Sequence, residues 1–138
     1  MVNRVGTSVL IPVLLLVAGC CLDRPPADLE IEITSPSDGG TVCREGRVEG
    51  TTSVSGQPVY VLVHPIKTDT WWVQNTSAPL MEWRTTAYFG TTSKGVGEDF
   101  EILAMAACGR YEAGHRLHAG ELPKDAVFSN IVTVTRTC

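Results

Sequence analysis

The first half of the folded region alternates between apolar and polar residues, and this alternation predicts β-strands. The apolar residues from Leu29 to Ile33 are separated by glutamates, and the same period of two returns from Arg47 to Val54. Because a period of two places successive side chains on opposite faces of a sheet, each segment is expected to have one buried and one wet face. Turn residues follow at positions 35–40 and 55–58, where each strand is expected to end.

Two later segments are apolar on both faces, which is typical of central strands. Residues 59–63 form the first, and Pro65 ends it because proline cannot donate a hydrogen bond to a neighbouring strand. Residues 100–108 form the second, in which Leu103 and Met105 make the second face apolar as well. Both segments are therefore predicted to be buried strands.

Three further segments complete the predicted set, at residues 71–74, 83–89 and 131–136. In the middle one, Trp83 is in phase with Phe89, so Trp83 is expected in the core. No segment has a convincing helical period. Seven short strands separated by turns predict an all-β protein, an antiparallel sandwich of about seven strands.

The spacing of apolar, aromatic and turn residues also resembles a known family. The residues concerned are Ile33, Pro36 and Gly39, then Val59–Val63 with Pro65, Trp71–Gln74, Trp83, Phe89 with Gly90, and Phe100, Glu101, Ile102 and Ala104. Together they resemble the immunoglobulin-like domains of exported bacterial proteins. The resemblance implies an immunoglobulin-like β-sandwich but no particular function, since sandwiches carry many unrelated functions.

The N-terminal residues have the composition of a secretory signal. Arg4 supplies a positive charge, and the apolar segment Val9–Val17 is too short for a membrane-spanning helix, which needs about 20 residues. This segment closes on Val17-Ala18-Gly19-Cys20, which resembles a bacterial lipobox. The resemblance implies cleavage after Gly19 and a diacylglycerol on the thiol of Cys20, with an acyl chain such as palmitate on its new amino group. An ordinary cleaved signal peptide and a transmembrane anchor are the alternatives.

These features divide the chain into a lipoprotein signal peptide (1–19), a lipidated tether (20–28) and one immunoglobulin-like domain (29–138). The prolines of the tether favour a stiff, extended conformation that holds the domain close to the membrane. The expected location is the cell envelope. After cleavage the second residue of the mature chain would be Cys21 and not aspartate. By resemblance to the rule that sorts lipoproteins in enteric bacteria, the absence of aspartate at this position implies the outer membrane.

The charge of the mature chain argues against nucleic acid as a partner. Cleavage after residue 19 of the 138 would leave 119 residues, and only Arg4 among the charged residues is removed. The 11 Lys and Arg become 10 against 15 Asp and Glu, so the formal charge is −5. An acidic surface of this kind repels polyanions.

Four cysteines remain after lipidation, and strand direction predicts how they pair. If seven strands alternate in direction, Cys43 and Cys138 fall at one end of the sandwich and Cys108 at the other. Cys43 is therefore expected to bind Cys138, which leaves Cys21 for Cys108. The alternative is that one or more thiols stay reduced, with Cys108 as a small core residue.

Two adjacent tryptophans are the best candidates for a binding surface. On a strand, Trp71 and Trp72 must point to opposite faces. Val73 shares the face of Trp71 and Gln74 that of Trp72, so Trp72 and Gln74 are expected on the exposed face. Exposed tryptophan is enriched in binding hot spots. The alternative is that a neighbouring loop covers Trp72.

Evidence for catalysis is weak, and the protein is not expected to be an enzyme. No glycine-framed turn presents a serine nucleophile to a base. The long loop 109–129 is of the length that is functional or mobile in many proteins. There His115 and His118, with Glu112 or Glu121, could hold a metal if the loop turned helically.

The combined expectation is a lipid-anchored binding module of the cell envelope that has no cofactor. It would attach to the membrane through its lipid and bind an envelope protein, a polysaccharide or peptidoglycan. A metal-dependent enzyme or metal-binding protein built on loop 109–129 is one alternative. A purely structural envelope lipoprotein is the other.

Overall fold

The computed structural model describes residues 25–138, which form ten β-strands and one short 3₁₀ helix. The strands are β1 (Ile31–Ser35), β2 (Gly40–Val42), β3 (Glu45–Thr52), β4 (Tyr60–Pro65), β5 (Thr70–Thr76), β6 (Glu82–Tyr88), β7 (Asp99–Ala106), β8 (Arg116–His118), β9 (Val127–Phe128) and β10 (Val132–Arg136). The 3₁₀ helix, Ala119–Glu121, follows β8 directly. The signal-peptide prediction and the predicted lipidation site Cys20 lie outside the described residues.

The strands form two sheets that pack face to face. The smaller sheet has the order β1-β3-β6, and the larger has the order β2-β10-β7-β4-β5-β8, with β9 paired to β7. Strands β1, β3 and β6 against β10, β7 and β4 correspond to strands A, B and E against G, F and C of the immunoglobulin fold. The predicted all-β sandwich is confirmed.

All seven predicted strands are present, and three short strands were not predicted. These are β2, β8 and β9, each of two or three residues, which is too short for an alternation to be visible in the sequence. Strand β2 also departs from an antiparallel arrangement, because it pairs in parallel with β10. The chain thus leaves the smaller sheet after β1 and joins the edge of the larger one before it turns into β3.

The main core lies between the sheets and follows the predicted alternation. Every second residue of β4 and of β7 points inward, and these side chains meet Val48, Trp83 and Phe89 from the smaller sheet and its loop. Phe89 packs edge-to-face on Phe100 with ring centroids 5.6 Å apart. Trp83 is only 2% exposed, so its predicted core position is confirmed.

A second core covers the outer face of the larger sheet and explains why two strands are apolar on both faces. Its buried members include Leu62, Leu103 and Met105 from central strands and Leu117 from the edge strand β8. The cover is the long segment 109–126 on either side of β8, whose Tyr111, Leu122 and Ala126 pack on this face. This segment was expected to be functional or mobile, and in the structure it shields the outer face of the sheet.

The two ends of the sandwich differ in what they carry. We call the end at which β1 begins the proximal end and the other the distal end. Residues 25–28, assigned to the tether from the sequence, already contact the domain: Pro25 is buried and Leu29 N donates to Pro26 O at 3.0 Å. The chain therefore emerges directly from the proximal end.

A disulfide between Cys43 and Cys138 closes the distal end. Their Cα atoms are 4.6 Å apart and the two residues are separated by 95 positions. This pairing is the one that strand direction predicted, and it ties the end of β10 to the start of β3. Cys108 is half-buried just beyond β7. Because Cys21 lies outside the described residues, its pairing with Cys108 stays a prediction.

Arg136 is a buried charge that organises the distal loop 89–98. It is 3% exposed, and its Nη1 donates to the carbonyl oxygens of Phe89, Thr91 and Lys94 at 2.7 to 2.9 Å. Gly90 lets the loop close around the guanidinium, because its φ of +85° favours glycine and an added Cβ would approach Nη1 to 3.0 Å. The loop conformation therefore depends on one side chain.

Replacing Arg136 with methionine is expected to lower the free energy of unfolding by about 3 kcal/mol, because it removes the donor shared by the carbonyl oxygens of Phe89, Thr91 and Lys94, of which the bond to Phe89 is buried. Chemical denaturation measures the loss, and amide hydrogen exchange should accelerate in residues 89–98. Arg84→Met is the matched control, since Arg84 is exposed and should change stability by less than about 0.5 kcal/mol. Equal stability of the two variants would contradict the assigned role.

Candidate functional site

The adjacent tryptophans of β5 lie on opposite faces of the larger sheet, as predicted. Trp71 is 6% exposed and belongs to the second core under segment 109–126, where it stacks on His64 at 4.7 Å between ring centroids. Trp72 is 38% exposed and pairs with Val63, a residue of the inter-sheet core. Trp72 thus points toward the inner side of the sheet and remains exposed there.

The sheets differ in width, and this difference leaves Trp72 uncovered. The smaller sheet has three strands and ends at β6, whereas the larger continues through β5 to β8. The inner face of β5 therefore extends beyond the last strand opposite it. An aromatic ring that would be core in a wider sandwich here lies at the rim.

Gln74 shares this face, as expected, but its side chain is buried. It is 7% exposed; its Oε1 accepts from Tyr88 N at 2.8 Å and its Nε2 donates to Trp72 O at 3.1 Å. A bulge places it there, because Gln74 and Asn75 together oppose the single residue Val61. Gln74 therefore joins the edges of β5 and β6 and holds the site together rather than offering a free amide.

Trp72 lines a groove of about 360 Å³ between β5 and β6. Val63 and Phe100 of the inter-sheet core also line it, and both are nearly fully buried. The remaining lining residues are Pro65, Val73, Gln74, Asn75, Tyr88, Gly90, Thr91, Ala113 and Gly114. None of these described residues is charged, and the volume is within the range of small ligand pockets.

Two arginines lie over the exposed aromatic rings at this site. The guanidinium carbon of Arg116 is 5.6 Å from the ring centroid of Trp72, and that of Arg44 is 5.9 Å from Tyr88. These distances are within cation–π range, so each arginine orients a ring and adds positive charge beside an uncharged groove. Tyr88 was not predicted, although an aromatic residue in phase with Glu82, Arg84 and Thr86 on a wet face was a usable signal.

The histidines of segment 109–129 are not brought together on a helical turn. Residues 116–118 are a strand that pairs with β5, and His118 Nδ1 lies 3.6 Å from Asp69 Oδ2. Glu121 Oε1 accepts from the backbone N of His118 at 2.7 Å. Among residues 25–138 no group of three or more His, Cys, Asp or Glu side chains is placed to hold a metal ion.

The remaining histidine is engaged in structural contacts. His64 Nδ1 lies 2.8 Å from Glu101 Oε1, and its Nε2 lies 2.6 Å from the carbonyl oxygen of Thr68. Both ring nitrogens therefore have partners, and the ring joins β4 to β7 and to the turn after β4. No serine of the described chain hydrogen-bonds to this ring.

Tyr111 anchors the covering segment in a partly dry environment. Its ring packs edge-to-face on Tyr60 with centroids 5.3 Å apart. Burial raises the pKa of the Tyr111 hydroxyl above its ordinary value, and nearby Asp125, Tyr60 and Cys108 add to the shift. Tyr60 in turn donates from its hydroxyl to Gly109 O at 3.1 Å. These contacts close the loop on the sheet.

Comparison with known proteins adds no assignment. No protein-family model matches the chain, and no curated protein sequence matches it. Within the described part of the chain, no helix has the length and apolar character to cross a membrane.

Proposed function

We propose that this protein is a lipid-anchored binding module of the cell envelope without catalytic activity, and that the groove at Trp72 is its binding site. The observation that carries the proposal is Trp72 itself, a 38% exposed ring beside an apolar groove. Large aromatic side chains at the rim of a pocket supply contact area at a low cost in conformational entropy. The anchor follows from the resemblance of Val17–Cys20 to a lipobox.

The composition of the groove favours a polypeptide partner over a polysaccharide. Its deepest residues, Val63 and Phe100, are apolar, and the amide of Gln74 is already hydrogen-bonded within the protein. A sugar needs several free hydrogen-bonding groups, whereas an apolar side chain needs a dry cavity of suitable size. We therefore propose that an uncharged, apolar side chain of another envelope protein enters the groove.

A metal-dependent function is less well supported, because its candidate residues His115 and His118 lie before and at the end of the extended strand β8 rather than on a helical turn. A purely structural role does not explain why an aromatic ring is left partly exposed beside a cavity. The groove lies in the distal half of the sandwich, near the ends of β4 and β6, so a short tether at the proximal end would leave it accessible.

Photocrosslinking in growing cells tests the proposal. A photoreactive phenylalanine analogue replaces Asn75, an exposed residue that lines the groove, and Thr34 on the outer face of the smaller sheet serves as the control position. The expected result is a discrete protein adduct from position 75 only. An adduct that glycan hydrolases degrade would support a polysaccharide instead, and equal adducts from both positions would refute a site in the groove.

Trp72→Ala is expected to weaken binding of the identified partner segment by about 30-fold or more, the effect of losing a hot-spot side chain. The free energy of unfolding should change by less than about 1 kcal/mol, since the ring is exposed. Isothermal titration calorimetry measures the first and chemical denaturation the second. Phe128→Ala is the matched control, because Phe128 is 37% exposed but lies outside the groove, and it should retain full affinity.

A further inference from the structure

The proximal end of the sandwich carries exposed apolar side chains at the point where the chain emerges. Val54 is 41% exposed, Leu80 58% and Met81 49%. The loops that hold them, residues 53–58 and 77–81, are joined by a hydrogen bond from Gly56 N to Pro79 O, and Thr52 N at the end of β3 donates to Met81 O. The three side chains therefore lie on neighbouring loops at this end, and we call them the proximal patch.

The first described residues lie beside this patch. Pro26 and Val54 line the same depression of about 510 Å³, and Ser53 exchanges two hydrogen bonds with Glu30, one through its hydroxyl and one through its backbone N. The patch is therefore next to the segment that would lead to the lipid. This argument rests on the proposed anchor at Cys20.

The reach of that segment is short. Cys20 and Pro25 are five positions apart, and an extended chain spans at most about 3.3 to 3.6 Å per residue, so the distance between them is at most roughly 18 Å. Because Pro25 is already buried against the domain, the residues from Pro25 onward do not add to this distance. A lipid inserted at Cys20 therefore brings the proximal patch close to the bilayer surface.

The loops of the proximal patch are themselves uncharged. Residues 53–58 and 77–81 contain no charged residue, whereas the distal loops 36–39, 66–69 and 89–98 each contain at least one. Charged residues do border the patch, because Glu49, Glu82 and Arg84 line a depression with Leu80 and Arg110 follows the proximal loop at Gly109. Uncharged loops with apolar tips lose little solvation energy at the boundary between headgroups and acyl chains. An apolar patch that is exposed to water is typical of a site that contacts a protein or a membrane.

We infer that the proximal patch rests on the lipid bilayer, with Leu80 and Met81 inserted at the level of the headgroups, and that this contact orients the domain. The groove at Trp72 then faces away from the membrane. Around the patch the acidic residues Asp28, Glu30, Glu49 and Glu82 outnumber the basic residues Arg84 and Arg110, so the contact depends on apolar insertion and not on anionic lipids.

The test uses the full chain, processed and lipidated in bacteria and reconstituted into phosphatidylcholine vesicles with brominated acyl chains. Leu80→Trp places an indole in the patch, and Val96→Trp places one at the distal end, where Val96 is 60% exposed. Quenching is measured relative to the parent chain, because the native tryptophans contribute to the emission. The brominated lipid is expected to quench the added emission of Leu80→Trp but not that of Val96→Trp. Adding phosphatidylglycerol to the vesicles should not change either result.

Flotation of the same vesicles separates this inference from the anchor. If the protein floats and the two added indoles are quenched equally, the patch does not rest on the bilayer, although the anchor stands. If the parent chain does not float, or if Cys20→Ala floats equally well, the anchor is wrong and the inference falls with it. Quenching at position 80 that is lost in a Leu80→Trp, Met81→Asp chain would support direct insertion of the patch.

Discussion

Replacing Cys43 and Cys138 together with serine should lower the free energy of unfolding by about 4 to 5 kcal/mol, the largest single effect expected for this protein. The bridge joins residues 95 positions apart, so it removes much of the conformational freedom of the unfolded chain. It also holds the end of β10 against the start of β3 at the distal end. Chemical denaturation followed by tryptophan fluorescence measures the loss.

A reducing agent supplies the control for this expectation. The parent chain should lose about 4 to 5 kcal/mol more stability on reduction than the double serine variant, because only the parent has the Cys43–Cys138 bridge to lose. Non-reducing peptide mapping of the parent should give a peptide pair that contains Cys43 and Cys138. A parent and a variant that unfold at the same denaturant concentration would contradict the stabilising role of the bridge.

Replacing Trp83 with alanine should cost about 3 to 5 kcal/mol, because it leaves a large cavity between the sheets. Trp83 is almost fully buried and lies directly opposite Gly50 on β3. A Cβ at Gly50 would collide with the ring of Trp83 and with the carbonyl oxygen of Glu32, so the glycine and the tryptophan depend on each other. Gly50→Ala is therefore expected to destabilise the same site by overpacking.

Two control variants sharpen this prediction. Trp83→Phe should cost clearly less than Trp83→Ala, since it keeps most of the apolar volume and removes an indole N–H that has no hydrogen-bond partner among the described residues. Trp72→Ala removes the same side chain from an exposed position and should cost little. If all three variants lost similar stability, the ring of Trp83 would not have the core position described.

Much of the fold could be predicted from local patterns. The alternation around Ile31, Val48 and Trp83 records which side chains face the core, because each strand residue turns its side chain opposite to the previous one. Strand direction alternates along a chain of short connections, which was enough to predict the Cys43–Cys138 bridge. The exposure of Trp72 opposite a buried Trp71 followed from the same period of two.

What the alternation does not contain is the identity of the layer that covers each face. Leu62 and Leu103 indicated a second buried face, but only the tertiary structure shows that segment 109–126 covers it. The burial of Gln74 depends on a one-residue bulge in β5 and on the backbone of β6, which are not close in sequence. The cover of the second face and the burial of Gln74 both depend on other segments of the chain, so neither could be predicted from neighbouring residues.

The site itself shows the same division. The sequence by itself determined that Trp72 and Gln74 share one face of a strand, since that depends only on the backbone period. The relative width of the two sheets and the packing of β5 against β6 decided that Trp72 borders a groove while Gln74 closes it. Burial of Arg136 was decided in the same way, because the carbonyl oxygens that receive its hydrogen bonds come from a loop more than 40 residues earlier. Such contacts join segments that are distant in sequence, so they stabilise the protein only after the chain has folded.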